Sequence, residues 1–269
     1  MSEAETIRVS QVRNAFDIDL ALPEGFSFFQ PYLQHWIKEV LGVGGEAYVA
    51  KTLTGSISGL FIYDDFEKTG TVYTQSRKVF DHFYELKPFS VLWSELRTEH
   101  ESETYDLYTL NLDNQAIAHS FNHPIIIAED QHLAEIEQFM ALTNPGMNPR
   151  WVSVALQNGD KCFLVRFQNE IAGIAWLSHV DRIGRLYSLY VKHQFRRIGI
   201  GGDLLFARLL WLKAKHAHSA FSEISRNNPT SARVSMRGQM SVTGQVYQYL
   251  GKDHGLQHRP EELVSLPRF

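Results

Sequence analysis

The chain has 269 residues, of which 44% are hydrophobic, and this is enough for one large domain or two ordinary ones. Its net charge of -4 argues against a general nucleic-acid-binding protein, and its single cysteine, Cys162, excludes an intrachain disulfide and favours a reducing compartment. Neither a signal-peptide pattern nor an apolar run of roughly 20 residues is found, so we expect a soluble cytoplasmic protein without nucleic-acid or membrane partners.

The first half of the chain has the patterns of strands and helices but no motif that points to a chemistry. An aromatic stretch over residues 26–36 is typical of a helix that packs through one face. Runs of β-branched and aromatic residues then predict a series of strands with one helix among them. The strands are predicted at 47–50, 57–63, 72–74, 90–93 and 105–110, and the helix at 77–86.

The second half begins with a predicted strand at 124–128 and a helix at 129–142, followed by a turn-rich connection. Strands at 162–167 and 171–177 are predicted to form a hairpin. Further on, a strand is predicted at 220–224 and another at 247–250. Between them a helix should run from Pro229 to about Arg237, because Asn228 makes a good N-cap and proline suits the first helical position. The polar residues from Lys252 onward predict a loosely packed tail.

Residues 186–202, with the sequence LYSLYVKHQFRRIGIGG, are the most informative segment of the chain. Their pattern predicts a largely buried strand, a tight turn and the start of a helix, which is expected from Asp203 to Lys215. A glycine-rich turn that leads into a helix directs several unpaired N–H groups at one point. Arg196 and Arg197 add positive charge, so the segment indicates a phosphate-binding site.

The spacing of the glycines discriminates among the motifs that bind phosphate. A P-loop requires Lys-Ser/Thr after its last glycine, and no such pair follows here. A dinucleotide-binding fingerprint requires a third glycine at the position of Leu204. The pattern that fits is Arg-x-x-Gly-x-Gly, preceded by a strand. A glycine turn that only starts a helix is the alternative.

This segment resembles the acyl-CoA pyrophosphate loop of the GNAT acetyltransferase superfamily, whose usual run is Val-x-Pro-x-Tyr-Arg-Gly-x-Gly-Ile-Gly. His193, Phe195 and Arg197 replace the proline, the tyrosine and the first glycine. The resemblance implies an α/β (α+β) fold with a mixed, mostly antiparallel sheet flanked by helices. It implies a catalytic domain at 120–251, after a divergent domain at 1–119 and before a tail at 252–269. The first half is either a degenerate GNAT copy in tandem or an unrelated α+β cap.

The resemblance also implies acetyl-CoA as cosubstrate. In the family, N–H groups of the loop hold the pyrophosphate, while the preceding strand pairs with the pantetheine arm and donates an N–H to the thioester oxygen. Asn228 and Ser231 match a second contact segment, Asn-x-x-Ala/Ser, although a plain N-cap explains Asn228 equally well. The expected cofactor-binding residues are Leu189, Tyr190, Val191, Arg196, Arg197, Ile198, Gly199, Ile200, Gly201, Gly202, Asn228 and Ser231.

The acid and base that the family commonly uses are absent from their usual positions. Ser235 stands where a tyrosine protonates the departing thiolate, and Arg185 and Tyr187 stand where a glutamate acts as base. The candidate catalytic residues are therefore Tyr187, Tyr190 and Ser235, with Tyr247 as a further acid and Glu223 as a base. Strand tyrosines more often serve in packing. An enzyme without a dedicated base can still work through proximity and orientation.

The resulting hypothesis is an N-acetyltransferase in which an amine attacks acetyl-CoA directly. Cys162 lies on a different strand from the loop, which argues against a cysteine-bound intermediate. The acceptor amine can belong to a small molecule, a peptide N-terminus or a lysine, and homodimer formation is left open. A non-catalytic acyl-CoA sensor and a partner-binding first half are alternatives.

No metal site is expected, because His216 and His218 lack ligands at suitable spacing, as do His254 and His258.

Overall fold

The computed structural model describes residues 7–13, 30–99, 101–113, 115–145, 147–148 and 150–251. These residues form two compact units, one made by the chain up to Thr104 together with residues from Gln245, and the other by Tyr105–Gly244. The predicted tail, with its two histidines, and much of the aromatic stretch at 26–36 lie outside the described residues. Within the described ranges, no helix is long and apolar enough to cross a membrane.

The first unit is built around a sheet in which all neighbouring strands are antiparallel except one pair. Its strands are β1 (Arg8–Val12), β2 (Glu46–Lys51), β3 (Ile57–Asp64), β4 (Thr69–Thr74), β5 (Val91–Ser94) and the C-terminal part of β12 (Ser241–Leu250), in the order β1-β2-β3-β4-β5-β12. The parallel pair is β4 and β5. β12 enters this unit from Gln245, and its residues Tyr247–Leu250 pair with β5.

Two helices cover opposite faces of this sheet. Trp36 of α1 (Gln30–Val43) stacks on Tyr73 of β4. α2 (Arg77–Leu86) instead packs Val79 and Phe80 into a buried cluster that includes Val72. Because successive residues of a strand point to opposite faces, Val72 and Tyr73 assign the two helices to the two sides of the sheet. Most residues of the central strand β3 are buried, as expected for a strand covered on both faces.

The second unit repeats this plan with a sheet that is again mostly antiparallel. Its strands are β6 (Glu103–Asn111), β7 (Ile126–Ile127), β8 (Lys161–Phe167), β9 (Glu170–Val180), β10 (Ile183–Val191) and β11 (Ser219–Ser225), in the order β6-β11-β10-β9-β8-β7. Only β10 and β11 run parallel to each other. β8 and β9 form the predicted hairpin, whose turn residues Gln168 and Asn169 both have positive φ, as a type I′ turn requires.

Four α-helices complete the described part of the second unit. They are α3 (Leu133–Thr143), α4 (Trp151–Gln157), α5 (Ile200–Ala214) and α6 (Pro229–Arg237), and a 3-10 turn at Asp130–His132 precedes α3. α5 lies across β8, β9 and β10, and its residues Leu204, Leu209 and Leu212 are fully buried in the main apolar core. The helix that follows the glycine loop is therefore held by a large apolar contact with the sheet.

The predicted fold class, a mixed and mostly antiparallel sheet flanked by helices, is confirmed. The predicted strands and helices of both halves are present, although β7 has two residues where five were predicted. The sequence patterns did not predict β1 or α4. α5 begins at Ile200, three residues before the predicted start, because Gly201 and Gly202 form its first turn instead of ending the preceding one. Glycine is a poor helix former, which made this start difficult to predict.

The compact units divide the chain after Thr104 and again after Gly244. The sequence analysis predicted domains at 1–119, 120–251 and 252–269. These limits stay a prediction, because the compact units do not test them.

Replacing Gly184 of β10 with alanine should destabilise the protein by about 1–3 kcal/mol, because the added methyl group overlaps the buried Leu212 side chain of α5. Gly202→Ala is the matched control, since a methyl group there meets open space in the first turn of the same helix. We expect that control to leave stability unchanged or to raise it by less than about 1 kcal/mol. Urea unfolding would measure both, and equal stability of the two variants would contradict this account of the β10–α5 contact.

Candidate functional site

The parallel strands β10 and β11 run side by side only at their beginnings. Ile183, Gly184 and Arg185 pair with Ser219, Ala220 and Phe221. Beyond Arg185 the register stops, although β10 continues to Val191 and β11 to Ser225. The two strands therefore part, and a V-shaped opening forms in the sheet of the second unit.

A β-bulge on the other side of β10 accompanies this parting. Tyr187 faces Trp176 of β9 and Tyr190 faces Ile174, so three steps along β10 match two along β9. The extra residue introduces a kink, and Ser188 adopts a φ of 45°. A bulge leaves the extra residue without a partner on the neighbouring strand and bends the bulged strand.

A cavity of about 120 Å³ fills the opening between the strands. β10, β11, α5 and α6 all contribute to its wall, together with one residue of β6. The lining residues are Tyr105, Leu186, Tyr187, Ser188, Leu189, Leu205, Arg208, Ser222, Glu223, Ile224, Ser225, Asn228, Ser231, Val234 and Ser235. The cavity thus brings together Tyr187, Leu189, Asn228, Ser231 and Ser235 from the set predicted by sequence.

The glycine loop lies at the N-terminus of α5. Gly199 is the N-cap residue and has a φ of 101°, a conformation that favours glycine. Because this N-cap has no side chain, no side-chain hydrogen bond caps the first turn, which consists of Ile200, Gly201 and Gly202. Backbone N–H groups in such a turn have no helical acceptor and can bind an anion.

The two arginines of the loop differ in conformation. Arg197, which stands where the family run has a glycine, adopts a φ of 68°, so the loop keeps a left-handed residue at this position at some energetic cost. Arg196 donates from Nε to the carbonyl of Val191, and its guanidinium lies over the Tyr190 ring at 5.8 Å. Both side chains are exposed, whereas Ile200 is buried in the core below the loop.

Asp203, in the first turn of α5, is fully buried and joins the loop to the segment before β7. Its carboxylate contacts His119 Nε2 at 2.6 Å and His123 Nδ1 at 2.7 Å, and it accepts from the backbone N–H groups of Asn122 and His123. Burial alone would raise the pKa of the Asp203 carboxyl, but the hydrogen bonds from the two histidines outweigh it, so the pKa lies below its usual value. The charged carboxylate is thus the stable form in the fold.

Asn228 is the N-cap of α6, as predicted. Its side-chain oxygen accepts from the backbone N–H of Ser231 at 3.0 Å, and Pro229 occupies the first helical position. Both Asn228 and Ser231 line the cavity. The capping role and the position at the cavity wall therefore coexist.

The candidate catalytic residues fall at different places around the cavity. Tyr187 lines it, stacks on Trp176, and donates from its hydroxyl to Asp160 at 2.5 Å. Ser235 lines it from α6 and is buried. Tyr190 lies after the bulge with its ring edge against Phe139, and it is not among the lining residues.

Glu223 and Tyr247, the further candidates for base and acid, are placed less favourably. Glu223 lines the cavity, but its carboxylate accepts from Arg185 Nε at 3.2 Å, and both side chains are buried. The ion pair with Arg185 therefore already occupies this carboxylate. Tyr247 belongs to the first unit, where its hydroxyl donates to Gln245, and it does not line the cavity.

Two buried charges at the site, Asp203 and Arg208, were not assigned by the sequence analysis. The sequence pattern indicates Asp203 only as the first residue of the predicted helix. Arg208 lies in the third turn of α5, is 2% exposed and lines the cavity. A charged residue in the apolar run from Leu204 to Leu212 is the signal that could have drawn attention to it.

In the first unit, the corresponding parallel strands β4 and β5 do not part. β5 pairs with β4 over its whole length, from Val91 beside Thr69 to Ser94 beside Val72. α2 starts without a glycine, and the Ser76 side chain caps it by accepting from the N–H of Val79. In the first unit the strands therefore stay together, and a side chain occupies the helix N-terminus.

Comparisons with known proteins agree with this geometry. The model of the acetyltransferase (GNAT) family matches residues 89–237. The structure is similar to a tandem GNAT protein from the clavulanic acid biosynthesis pathway, with a TM-score of 0.58 and 11% identity over 91% of this chain and 98% of that chain. A search of curated protein sequences gave no significant match.

Two further solved structures share the fold. A GCN5-related N-acetyltransferase from Sphaerobacter thermophilus has a TM-score of 0.56 and 12% identity, over 76% of this chain and 79% of that chain. An acetyltransferase of the GNAT family from Colwellia psychrerythraea has a TM-score of 0.55 and 10% identity, over 91% and 100% of the two chains. At these identities the likeness is one of fold.

Fold and site together define an acyltransferase with parted central strands and a glycine loop at a helix N-terminus. Since the family model matches more than half of the 269 residues, the chain belongs to the GNAT acetyltransferase family. The family resemblance identified from the loop sequence is confirmed.

The buried Asp203 carboxylate should make stability depend on pH. Because its folded pKa lies below the unfolded value, its contribution is present above the unfolded pKa and is lost as pH falls through the folded pKa. Asp203→Asn should lower the free energy of unfolding at pH 7 by about 2–4 kcal/mol, and this difference should shrink toward acidic pH. Urea unfolding at several pH values would measure it.

Asp113→Asn is the control for this prediction. Asp113 contacts His218 in the same unit, but both side chains are at least 40% exposed, so we expect a loss below about 1 kcal/mol. If the two variants lose the same stability, or if the Asp203 effect does not change with pH, the assigned role of the buried carboxylate is wrong.

Proposed function

We propose that this protein is an acetyl-CoA-dependent N-acetyltransferase in which an amine attacks the thioester directly. The observation that carries this proposal is the cavity between the parted strands β10 and β11, beside the glycine-capped N-terminus of α5. One opening for an extended arm and one anion-binding turn match two parts of CoA, the pantetheine arm with its thiol and the pyrophosphate.

The residues at the site fit this cosubstrate. In the proposal, N–H groups of residues 196–202 bind the pyrophosphate and the exposed Arg196 and Arg197 add charge. Leu189, Tyr190 and Val191 pair with the pantetheine arm along the free edge of β10. Asn228 and Ser231 lie across the cavity, where they contact the arm near the thiol.

The reaction transfers one acyl group and one proton. The amine nitrogen attacks the thioester carbonyl carbon, a C–N bond forms, and the C–S bond breaks. The nitrogen loses a proton, and the sulfur leaves as a thiolate that takes one up. We assign Tyr187 as the donor of that proton in preference to Tyr190 or Ser235, because Tyr187 lines the cavity and Tyr190 does not, and because a phenol is a stronger acid than the aliphatic hydroxyl of Ser235.

Direct attack is preferred to a covalent route because of the position of Cys162. This cysteine is completely buried on β8 and is not among the residues that line the cavity. A thiol nucleophile needs access to the thioester and a means of forming the thiolate. A cytoplasmic location agrees with this reduced thiol.

We further propose that the first unit is a GNAT-like copy without a cofactor site. Its elements follow the order β-α-β-β-β-α-β, and the strands and α-helices of the second unit from β7 to β11 differ from this order only by the additional helix α4. Its parallel strands remain paired, and Ser76 caps its second helix. The similarity to a tandem GNAT protein over 91% of this chain supports this interpretation.

Titration calorimetry with acetyl-CoA and CoA, and with dephospho-CoA and NAD as controls, tests the proposal. Micromolar binding of both CoA species without binding of NAD would support the site. An acetyl-CoA turnover assay over small amines, peptide N-termini and lysine side chains would then test the activity. Absence of CoA binding would overturn the proposal.

The alternative function is a non-catalytic acyl-CoA sensor. The replacement of the family's tyrosine by Ser235, and the ion pair that holds Glu223, favour it. This alternative predicts tight binding of acetyl-CoA with no turnover on any amine. An acetylated product from one amine of the panel would exclude it.

Gly201→Asp should weaken CoA binding by about 100-fold or more, because the new carboxylate would repel the pyrophosphate of CoA. Two like charges 4 Å apart repel each other by about 4 kcal/mol at an effective dielectric constant of 20. Gly201→Ala is the control. A Cβ at this position lies 3.8 Å from Leu189 and 3.9 Å from Val234, which are ordinary contacts, so the fold should tolerate it. Calorimetry would measure both, and unchanged CoA affinity of the aspartate variant would contradict the loop assignment.

Tyr187→Phe should lower the turnover number by about 100-fold or more if Tyr187 is the general acid, with CoA affinity changed by less than about 3-fold. Tyr190→Phe is the control and should retain most activity. The assay follows thiol release from acetyl-CoA with an amine identified in the panel. If the rate of the Tyr187 variant is unchanged across pH, this tyrosine is not the acid.

A further inference from the structure

Arg208 is a buried guanidinium at the wall of the cavity. It is 2% exposed and lies on the face of α5 that packs against the sheet. Isolated buried charges are unfavourable, so such a group is retained where its hydrogen bonds and its charge both have a use. In the described part of the chain, its hydrogen bonds all go to backbone carbonyl groups.

These hydrogen bonds connect α5 to the β-bulge. Nε donates to the carbonyl of Leu204 in the same helix at 3.1 Å. Nη1 donates to the carbonyl of Trp176 at 3.0 Å and to that of Tyr187 at 3.4 Å. Trp176 and Tyr187 are the last facing pair of β9 and β10 before the bulge. Arg208 thus bridges the two strands at the point where their ladder is interrupted.

The residues directly after this bridge are those that enter the cavity. Ser188, with its φ of 45°, and Leu189 follow Tyr187 and line the cavity wall. Their direction depends on how the carbonyl of Tyr187 is held, because one peptide plane fixes both the carbonyl and the next N–H group. A side chain that anchors this carbonyl therefore also orients the N–H of Ser188.

We propose that Arg208 is a positioning residue that fixes the bulge of β10, so that its backbone N–H groups bind the carbonyl oxygen of the acyl thioester. This inference rests on the proposed function, because it requires an acyl-CoA in the cavity. Arg208 lies on the same helix as the glycine loop. One helix therefore holds the pyrophosphate at its first turn and sets the geometry for the thioester at its third turn.

The charge of Arg208 supports the same role. Burial lowers the pKa of Arg208 to about 9, so the guanidinium remains a cation at neutral pH. Negative charge develops on the thioester oxygen during attack, and a fixed positive charge in a water-poor site favours it. Arg185, which is buried two residues before Tyr187 on β10, is paired with Glu223 and contributes less net charge.

The test compares how the parent protein and Arg208→Met bind CoA and acetyl-CoA. Met has a similar length but cannot donate to the two carbonyl groups. We expect its CoA affinity to stay within about 3-fold of the parent, while acetyl-CoA affinity falls by about 5–10-fold, as for the loss of one hydrogen bond. Lys215→Met, which removes an exposed cation at the end of α5, is the control and should change neither. Arg208→Lys should restore part of the loss.

Infrared spectroscopy of acetyl-CoA labelled with ¹³C at the carbonyl gives a second readout. In the parent, the carbonyl stretch of the bound ligand should lie below that of free acetyl-CoA, because a hydrogen bond weakens the C=O bond. In Arg208→Met it should return toward the free value. Circular dichroism checks that both Arg208 variants are folded.

The outcomes separate this inference from the proposed function. If the parent does not bind CoA, the proposed function fails. If the parent binds CoA but the carbonyl stretch of bound acetyl-CoA equals that of free acetyl-CoA, the inference about the bulge is overturned. This outcome needs only the parent protein, so it holds even if both Arg208 variants fail to fold. The inference is also overturned if folded Arg208→Met keeps the parent's ratio of acetyl-CoA to CoA affinity and its carbonyl frequency.

Discussion

The short register between β10 and β11 is the constraint on which the rest of the site depends. Three residue pairs join these parallel strands. Beyond them, the backbone N–H and C=O groups of β10 and β11 that face the opening need other hydrogen-bond partners. Buried N–H and C=O groups without partners are costly, so an opening within a sheet is stable only where side chains, water or a ligand satisfy them. Arg208 satisfies two carbonyl groups next to the opening, and Asn228 caps the helix beside it. An extended ligand arm can supply the remaining hydrogen bonds, as an added strand does at a sheet edge.

The two units show that the arrangement of elements does not by itself make a site. Both contain a mostly antiparallel set of strands with one parallel pair, and a helix that connects the two strands of that pair. In the first unit the pair stays closed and Ser76 caps the helix with its own side chain. In the second unit the pair opens and Gly199 leaves the helix N-terminus free for another partner. The first unit pairs the whole of β5 with β4, whereas the second leaves most of β10 and β11 unpaired with each other, and this difference, together with one cap residue, distinguishes the two units.

Local sequence patterns predicted the local features of this fold. Strand alternation, the N-cap at Asn228 and the glycine loop all depend on residues that are neighbours in the chain, so they were identified together with the family. The contacts of Asp203 could not be predicted, because His119 and His123 precede it by about 80 residues. The ion pair of Arg185 and Glu223 depends in the same way on the pairing of β10 with β11. The short helix α4 was missed because its β-branched residues do not favour a helix, whereas Trp151 and Val152 are buried and stabilise it by packing.

The buried charge below the glycine loop has an electrostatic consequence for the anion site. Asp203 places a carboxylate in the first helical turn, where it competes with a bound phosphate for the positive end of the helix dipole. The hydrogen bonds from His119, His123 and two backbone N–H groups spread this charge over the segment before β7. The helix N-terminus is thereby kept in place while the carboxylate points into the protein. In the proposed complex with an acyl-CoA, the favourable interaction with phosphate would come from the N–H groups of the turn and from the exposed Arg196 and Arg197. The group that anchors the loop would then be separate from the groups that bind the ligand.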